Sequence, residues 1–214
     1  MKQVAVIGLG RFGSSVARTL ADSGCEVLAV DVDEARVKAI ADEVTDAVRA
    51  NALDEEALRA LGLRNFEVVV VAIGHEVQAS ILTTVLLKEM GIPKIVAKAQ
   101  DDLHGRVLQK VGADVVVYPE RDMGVRLAHT LISRNVIDEI QLSTDYSILE
   151  MAAPRGFVGH SLRDLELRQR YGLSVLAIRR KDRIVVSPNA DQVVEDGDLL
   201  VVLGQPDKLA PLSE

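Results

Sequence analysis

The chain has no tryptophan, three tyrosines and three phenylalanines, so aromatics make up only 3% of its 214 residues. That leaves little surface on which nucleic-acid bases could stack. Charge points the same way: 25 Lys and Arg against 32 Asp and Glu give a formal net charge of −7. That sign disfavours sequence-independent binding to a polyanion, and no nucleic-acid partner is expected. Cys25 is the sole cysteine, so no intrachain disulfide forms and the cytoplasm is the expected compartment. Its place between Gly24 and Glu26 suits a buried structural thiol better than a nucleophile. The longest apolar run, around Val68 to Ile73, falls far short of the ~20 residues of a membrane span. A strand pattern starts almost at the first residue, so no signal peptide is expected. CxxC, HExxH, GxSxG and GxxxxGK[ST] are all absent. Metal–thiolate, α/β-hydrolase and P-loop ATPase chemistry therefore lack their residues.

What the chain does have is a soluble, globular composition, 48% hydrophobic and 27% charged, long enough for one or two domains with a real core. Its first stretch, KQVAVIGLGRFGSSVARTLADSGCEVLAVDVD, holds the strongest signal. An apolar run, Val4 to Ile7, feeds into Gly8-x-Gly10-x-x-Gly13; a helical pattern and a second apolar run ending in Asp31 follow. Gly8 permits the tight turn, Gly10 lets the backbone approach a phosphate, and Gly13 lets the next helix pack close to the sheet. The phosphate then meets free N–H groups at the positive end of the helix dipole. Arg11 and Phe12 lie inside this loop, and Asp31, followed by Val32, stands where a carboxylate accepts from ribose hydroxyls. No arginine is expected at that strand end, which argues against a 2′-phosphate and so against NADP.

Apolar runs recur near 4–7, 27–30, 47–50, 68–73, 95–97 and 115–118, with helix-like segments between them. Continuous apolar strands alternating with helices predict a doubly wound, six-stranded parallel sheet over residues 1–120, a Rossmann-like α/β domain. Segment 121–137 follows as a connecting helix, read from Arg121 to Val136, with Met123, Leu127, Leu131 and Ile132 on one side. It is either an ordinary sixth helix of the α/β domain or a lever or dimer contact between domains. Shorter, alternating strands then predict a smaller α+β module over 138–214, with a helix-like SLRDLELRQRY among them.

Ligands of an open parallel sheet bind at the carboxyl ends of its strands. The candidates there are Asn51 with Asp54; Ala72, Ile73 and Gly74; Lys98, able to meet a phosphate; and Glu120, able to take a divalent cation through its carboxylate. Each polar residue taken alone reads first as a helix cap or a solvated loop charge; together, on the same edge as the glycine loop, they favour a ligand site. His75 sits on the same edge, but only Glu76 stands beside it as an acid, and no catalytic set assembles. A small NAD-dependent oxidoreductase or NAD(H)-binding redox sensor using His75 remains the alternative to a non-catalytic nucleotide sensor.

The run VAKAQDDLHGRVLQKVGADVVVYPERDMG, with GLGRFG near the start, resembles RCK (KTN) domains. GHSLRDLELRQRYGLSVLAIRR and VVEDGDLLVVLG are similar to that family's C-terminal subdomain, so the resemblance spans nearly the whole chain. It implies a non-enzymatic, cytoplasmic regulatory subunit of a bacterial Ktr or Trk potassium-uptake system, held at the inner face of the membrane by a channel or transporter subunit. It further implies a homodimer assembled into an octameric ring. ATP or ADP, with NAD or NADH as the alternative, would bind through Gly8, Gly10, Gly13 and Asp31. Arg11 would reach the phosphates of a neighbouring subunit's nucleotide, and Glu120 would help hold a divalent cation. Cyclic di-AMP is an implied second ligand: Arg168 matches an arginine of that site, whereas Ser174 stands where asparagine is expected.

Overall fold

A computed structural model of the chain describes residues 2–132, 136–143 and 145–205. These fall into two compact units, residues 1–121 and 122–214.

In the first unit the apolar runs form β1 (Gln3–Ile7), β2 (Glu26–Asp31), β3 (Asp46–Arg49), β4 (Val68–Val71), β5 (Ile95–Lys98) and β6 (Val115–Val117). They make one six-stranded sheet in the order β3-β2-β1-β4-β5-β6, and every pairing is parallel. Five helices connect them: α1 (Arg11–Asp22), α2 (Glu34–Ile40), α3 (Glu55–Ala60), α4 (Val77–Glu89) and α5 (Asp102–Val111). Side chains of a strand alternate between the sheet's faces, which explains why the strands are apolar throughout. Ala5, Ile7, Leu28 and Val30 enter one buried cluster, while Val4, Val6, Val27 and Ala29 enter another. The strand order reverses between β1 and β4, and the crevice of a doubly wound sheet opens at that point.

Helix α6 (Pro119–Ile132) leaves this unit. It starts two residues earlier than the sequence pattern indicates, because proline fits the first helical position, where its missing N–H is not needed. The expected end at Val136 is wrong: Val136 is the first residue of β7 (Val136–Gln141). Met123, Leu127 and Leu131 are 60%, 55% and 76% exposed, so this apolar row has no cover among the described residues. The side chain of Ile132 lies outside the described residues.

The second unit is a five-stranded antiparallel sheet. Beyond β7 it contains β8 (Ser147–Ala152), β9 (Ser174–Arg180), β10 (Arg183–Val186) and β11 (Leu199–Gly204), in the order β10-β9-β11-β8-β7. SLRDLELRQRY is not one helix. It forms α7 (Leu162–Leu165) and α8 (Leu167–Arg170), four residues each, broken at Glu166, whose φ of 46° no continuing helix allows. Met151, Leu173, Ile178 and Leu200 centre the core. At its edge the Asp198 side chain, fully buried, accepts two hydrogen bonds of 2.7 Å from the Arg180 guanidinium.

Candidate functional site

The glycine loop joins β1 to α1, and its three glycines meet three different surroundings. Gly8 has a φ of 96°, and a Cβ there would lie 3.0 Å from the Ala72 and Ile73 backbone. A Cβ on Gly13 would lie 1.8 Å from the Gly8 carbonyl oxygen, so this position admits no side chain. Around Gly10 a Cβ would find nothing within 4 Å. The absence of a side chain at Gly10 therefore serves no packing within the chain; it keeps open the space in front of α1.

That helix end is also uncapped. The side chains of Asp33, Asp54 and Asp101 accept from backbone N–H groups at the starts of α2, α3 and α5. Gly10 caps α1 with no side chain, and the first turn carries no acid. The N–H groups of Arg11, Phe12 and Gly13 have no carbonyl within the helix to receive them. Such an end, with the positive pole of the helix dipole behind it, suits an anion.

Asp31 ends β2 with its side chain buried. One carboxylate oxygen accepts from the Leu9 N–H at 2.6 Å and the other from the Asp33 N–H at 2.8 Å, so Asp31 ties the loop to β2. The expectation that no arginine stands here is wrong. The Arg36 guanidinium lies 3.5 Å from carboxylate oxygens of Asp31 and Asp33, and Arg49 Nε donates to the Val32 carbonyl at 3.1 Å. The first turn of α2 and the end of β3 bring these arginines in, which spacing along one strand does not reveal.

Across the crevice Lys98 ends β5. Its side chain is 11% exposed and its ammonium lies 2.6 Å from the Glu120 carboxylate, which is 71% exposed. The Phe12 ring centroid is 5.8 Å from the same nitrogen. Glu120 belongs to the first turn of α6. The Lys98 hydrogen bond holds its carboxyl below the usual carboxylate range against the opposing effect of burial, with further help from a backbone bond and the charge of Arg11. The Gln100 side-chain amide donates to the Gly74 carbonyl.

These groups line one cleft of about 1140 Å³. Gly8, Gly10, Arg11, Phe12, Asp31 and Val32 contribute from one side. Asn51, Ala72, Ile73, Gly74, Lys98 and Glu120 complete the expected set. Gly13 and Asp54 do not line it: Gly13 packs behind the loop, and Asp54 caps α3 by accepting from Ala57 at 3.1 Å. His75 and Glu76 do line it, as do Arg18, Arg36 and Gln100, which the sequence reading missed. Arg18 follows Arg11 by seven positions and so shares its face of α1, a signal present in the sequence. Among the described residues no group of three or more His, Cys, Asp or Glu is placed to hold a metal ion. Arg168, on α8, and Ser174, at the start of β9, belong to the second unit. Among the described residues no helix is long and apolar enough to cross a membrane.

Comparison with known proteins gives the family. Residues 4–119 match the TrkA-N domain and residues 146–214 the TrkA-C domain. The chain belongs to the TrkA-N/TrkA-C (RCK) family. It is 50% identical over 203 residues to the Ktr system potassium uptake protein A of Bacillus subtilis (strain 168), covering 95% of this chain and 91% of that one. It is 48% identical, over 95% of this chain and 92% of the relative, to the Ktr system potassium uptake protein C of the same strain. Among solved structures, the GsuK channel bound to NAD shares the RCK fold with a TM-score of 0.68 at 19% identity, covering 99% of this chain and 38% of that one. This RCK chain is accordingly a regulatory subunit of the Ktr type, and its family is not enzymatic.

Proposed function

We propose that the cleft of the N-terminal RCK unit binds an adenine nucleotide, ATP or ADP, and that the chain uses the difference between them to control a separate membrane potassium channel or transporter subunit. The observation that carries this reading is the uncapped start of α1 behind the open space at Gly10. The cleft there is lined by Arg11, Arg18, Arg36 and Lys98. Phosphates fit the N–H groups of Arg11, Phe12 and Gly13, and a ribose fits beside Asp31 and Val32. Asp31 Oδ2 accepts from the Leu9 N–H and faces the Arg36 guanidinium, whereas Oδ1 accepts from the Asp33 N–H and keeps a lone pair for a hydroxyl.

Arg11 makes no ion pair among the described residues, and a guanidinium binds a terminal phosphate in two-pronged fashion. Acting on the nucleotide of a second copy, it would distinguish ATP from ADP, and only such a difference shifts an equilibrium between two arrangements. The uncovered row Met123, Leu127 and Leu131 supports pairing between copies. The Ktr relatives support a potassium-transport partner and peripheral attachment to the membrane. A divalent cation at Glu120 would sit next to those phosphates and screen their charge. GsuK carries NAD in the same fold, so the first measurement is mass-spectrometric identification of the nucleotide that co-purifies with the protein. The second is ATP and ADP affinity before and after Arg11→Ala. The reading expects wild type to separate the two nucleotides and the variant to lose that separation. Equal affinities in wild type, unchanged by the substitution, would refute it.

A further inference from the structure

Lys98 and Glu120 form an asymmetric pair. The ammonium is nearly enclosed, 11% exposed at the end of a central strand, while its carboxylate partner is 71% exposed on a helix start. Phe12 closes one side of the ammonium. At Gly74 a Cβ would already stand 3.2 Å from the nitrogen. The ammonium, enclosed by Phe12 and Gly74, has little room to move; the exposed carboxylate can swing into water at small cost. Phe12 belongs to the α1 turn whose N–H groups face the phosphate space, so the ammonium stands within reach of an anion bound there.

An arriving polyphosphate would find Lys98 already neutralised, and its charge would be repelled by the Glu120 carboxylate. With no cation to bridge it to the phosphates, Glu120 answers by moving out. We propose that Glu120 is a tethered competitor: it occupies Lys98 until a nucleoside polyphosphate displaces it, and so sets the affinity threshold of the site and its preference for longer phosphate chains. This rests on the nucleotide reading above. Lys98 is then a phosphate ligand held in reserve, and Glu120 a specificity-determining residue that need not touch the ligand. Because Glu120 lies in the first turn of α6, the exchange also removes one of the contacts holding that turn. The ion pair of Arg121 with Asp102, at 2.8 Å, remains.

The test is calorimetric titration of the full chain with ATP, ADP and AMP in metal-free buffer, so that no cation bridges Glu120 to phosphate. Wild type, Glu120→Gln, Lys98→Met and the double variant are compared. Glu120→Gln should tighten ATP by about fivefold, ADP by less and AMP not at all. Lys98→Met should weaken ATP, and in its background Glu120→Gln should recover only a minor part of its gain. That non-additivity separates exchange at Lys98 from plain repulsion between carboxylate and phosphate. Three results overturn the inference while leaving nucleotide binding intact: no tightening in Glu120→Gln, equal tightening for AMP, or strict additivity. If wild type binds no adenine nucleotide, the reading of the cleft fails and this inference with it.

Discussion

Gly10→Ala offers the sharpest separation between folding and ligand binding in this chain. A Cβ at Gly10 meets nothing within 4 Å, and the backbone there, φ −69° and ψ −176°, is open to any residue. Alanine loses the slight N-cap advantage of glycine but restricts the unfolded chain. The two effects oppose each other, and the variant should keep its stability to within about 0.5 kcal/mol. Its methyl group, however, occupies the space through which, on the proposed reading, a phosphate would reach the N–H groups of α1. Holding the phosphate off by the width of a methyl breaks hydrogen bonds to a charged group, each contributing about 1.5–3 kcal/mol. Loss of one such bond corresponds to a tenfold or greater fall in affinity.

Gly13→Ala is the control. Its Cβ would lie 1.8 Å from the Gly8 carbonyl oxygen, where real Cβ atoms keep at least 3.0 Å. Backbone, not a flexible side-chain tip, must move, and a loss of about 2–4 kcal/mol is expected. The assay is urea unfolding with and without saturating ATP, scored as the ligand-induced gain in stability, which follows RT ln(1 + [L]/Kd). Gly10→Ala should match wild type without ATP and show little gain with it. Gly13→Ala should be weakened in both conditions. A Gly10→Ala protein that gains as much from ATP as wild type would refute the assignment of the phosphate to this loop.

Two further predictions concern charge and pH. Asp198→Asn leaves Arg180 without its buried anion and should destabilise the second unit by about 2–3 kcal/mol, less than for a fully buried pair because Arg180 is 28% exposed; urea unfolding followed by hydrogen exchange in β9 and β11 checks it. The Arg180 hydrogen bonds hold the Asp198 carboxyl below the usual carboxylate range, so its contribution is present above that range and lost as pH falls through the depressed value. His104, 3% exposed, has its pKa lowered by burial, with Asp101 opposing. The unfolded chain then binds the proton more readily, and stability falls as pH drops below the ordinary histidine range toward the depressed value. His104→Gln should flatten that slope in urea midpoints taken between pH 7.5 and 5; an unchanged slope would remove His104 as its source.

The α/β unit was legible because its signals are local. Strand runs, glycine spacing and the Asp31 offset all lie within stretches of about 30 residues, and a parallel sheet makes each run apolar on both faces. The mistakes are those of neighbours brought together by the fold. Arg36 and Arg49 reach Asp31 and Val32 from α2 and β3, and nothing along β2 itself announces them. Asp54 was placed at the crevice because it follows a strand, yet its spacing to Ala57 is that of an N-cap, a local role that competes with ligand binding. The break at Glu166 was missed for a different reason. LRDLELRQR has helical composition throughout, and only the packing of Leu165 and Leu167, both buried in one core, forces the chain through a left-handed residue between them.

Net charge illustrates the same limit from the other side. A chain at −7 is a poor candidate for an anion site if charge is averaged over its surface. Yet the cleft is lined by four cations, Arg11, Arg18, Arg36 and Lys98, against three carboxylates, Asp31, Glu76 and Glu120. Of these carboxylates, Asp31 is engaged by two N–H groups and Arg36, and Glu120 by Lys98. Arg18 pairs with Glu43 outside the cleft, so among the described residues Arg11 is the one lining cation without an ion pair and Glu76 the one lining carboxylate without one. A concave wall of low dielectric focuses the field of Arg11 beside the open start of α1. On the proposed reading, the surrounding acidity would raise the threshold for every anion, and a polyphosphate would overcome it by engaging both the helix end and Arg11.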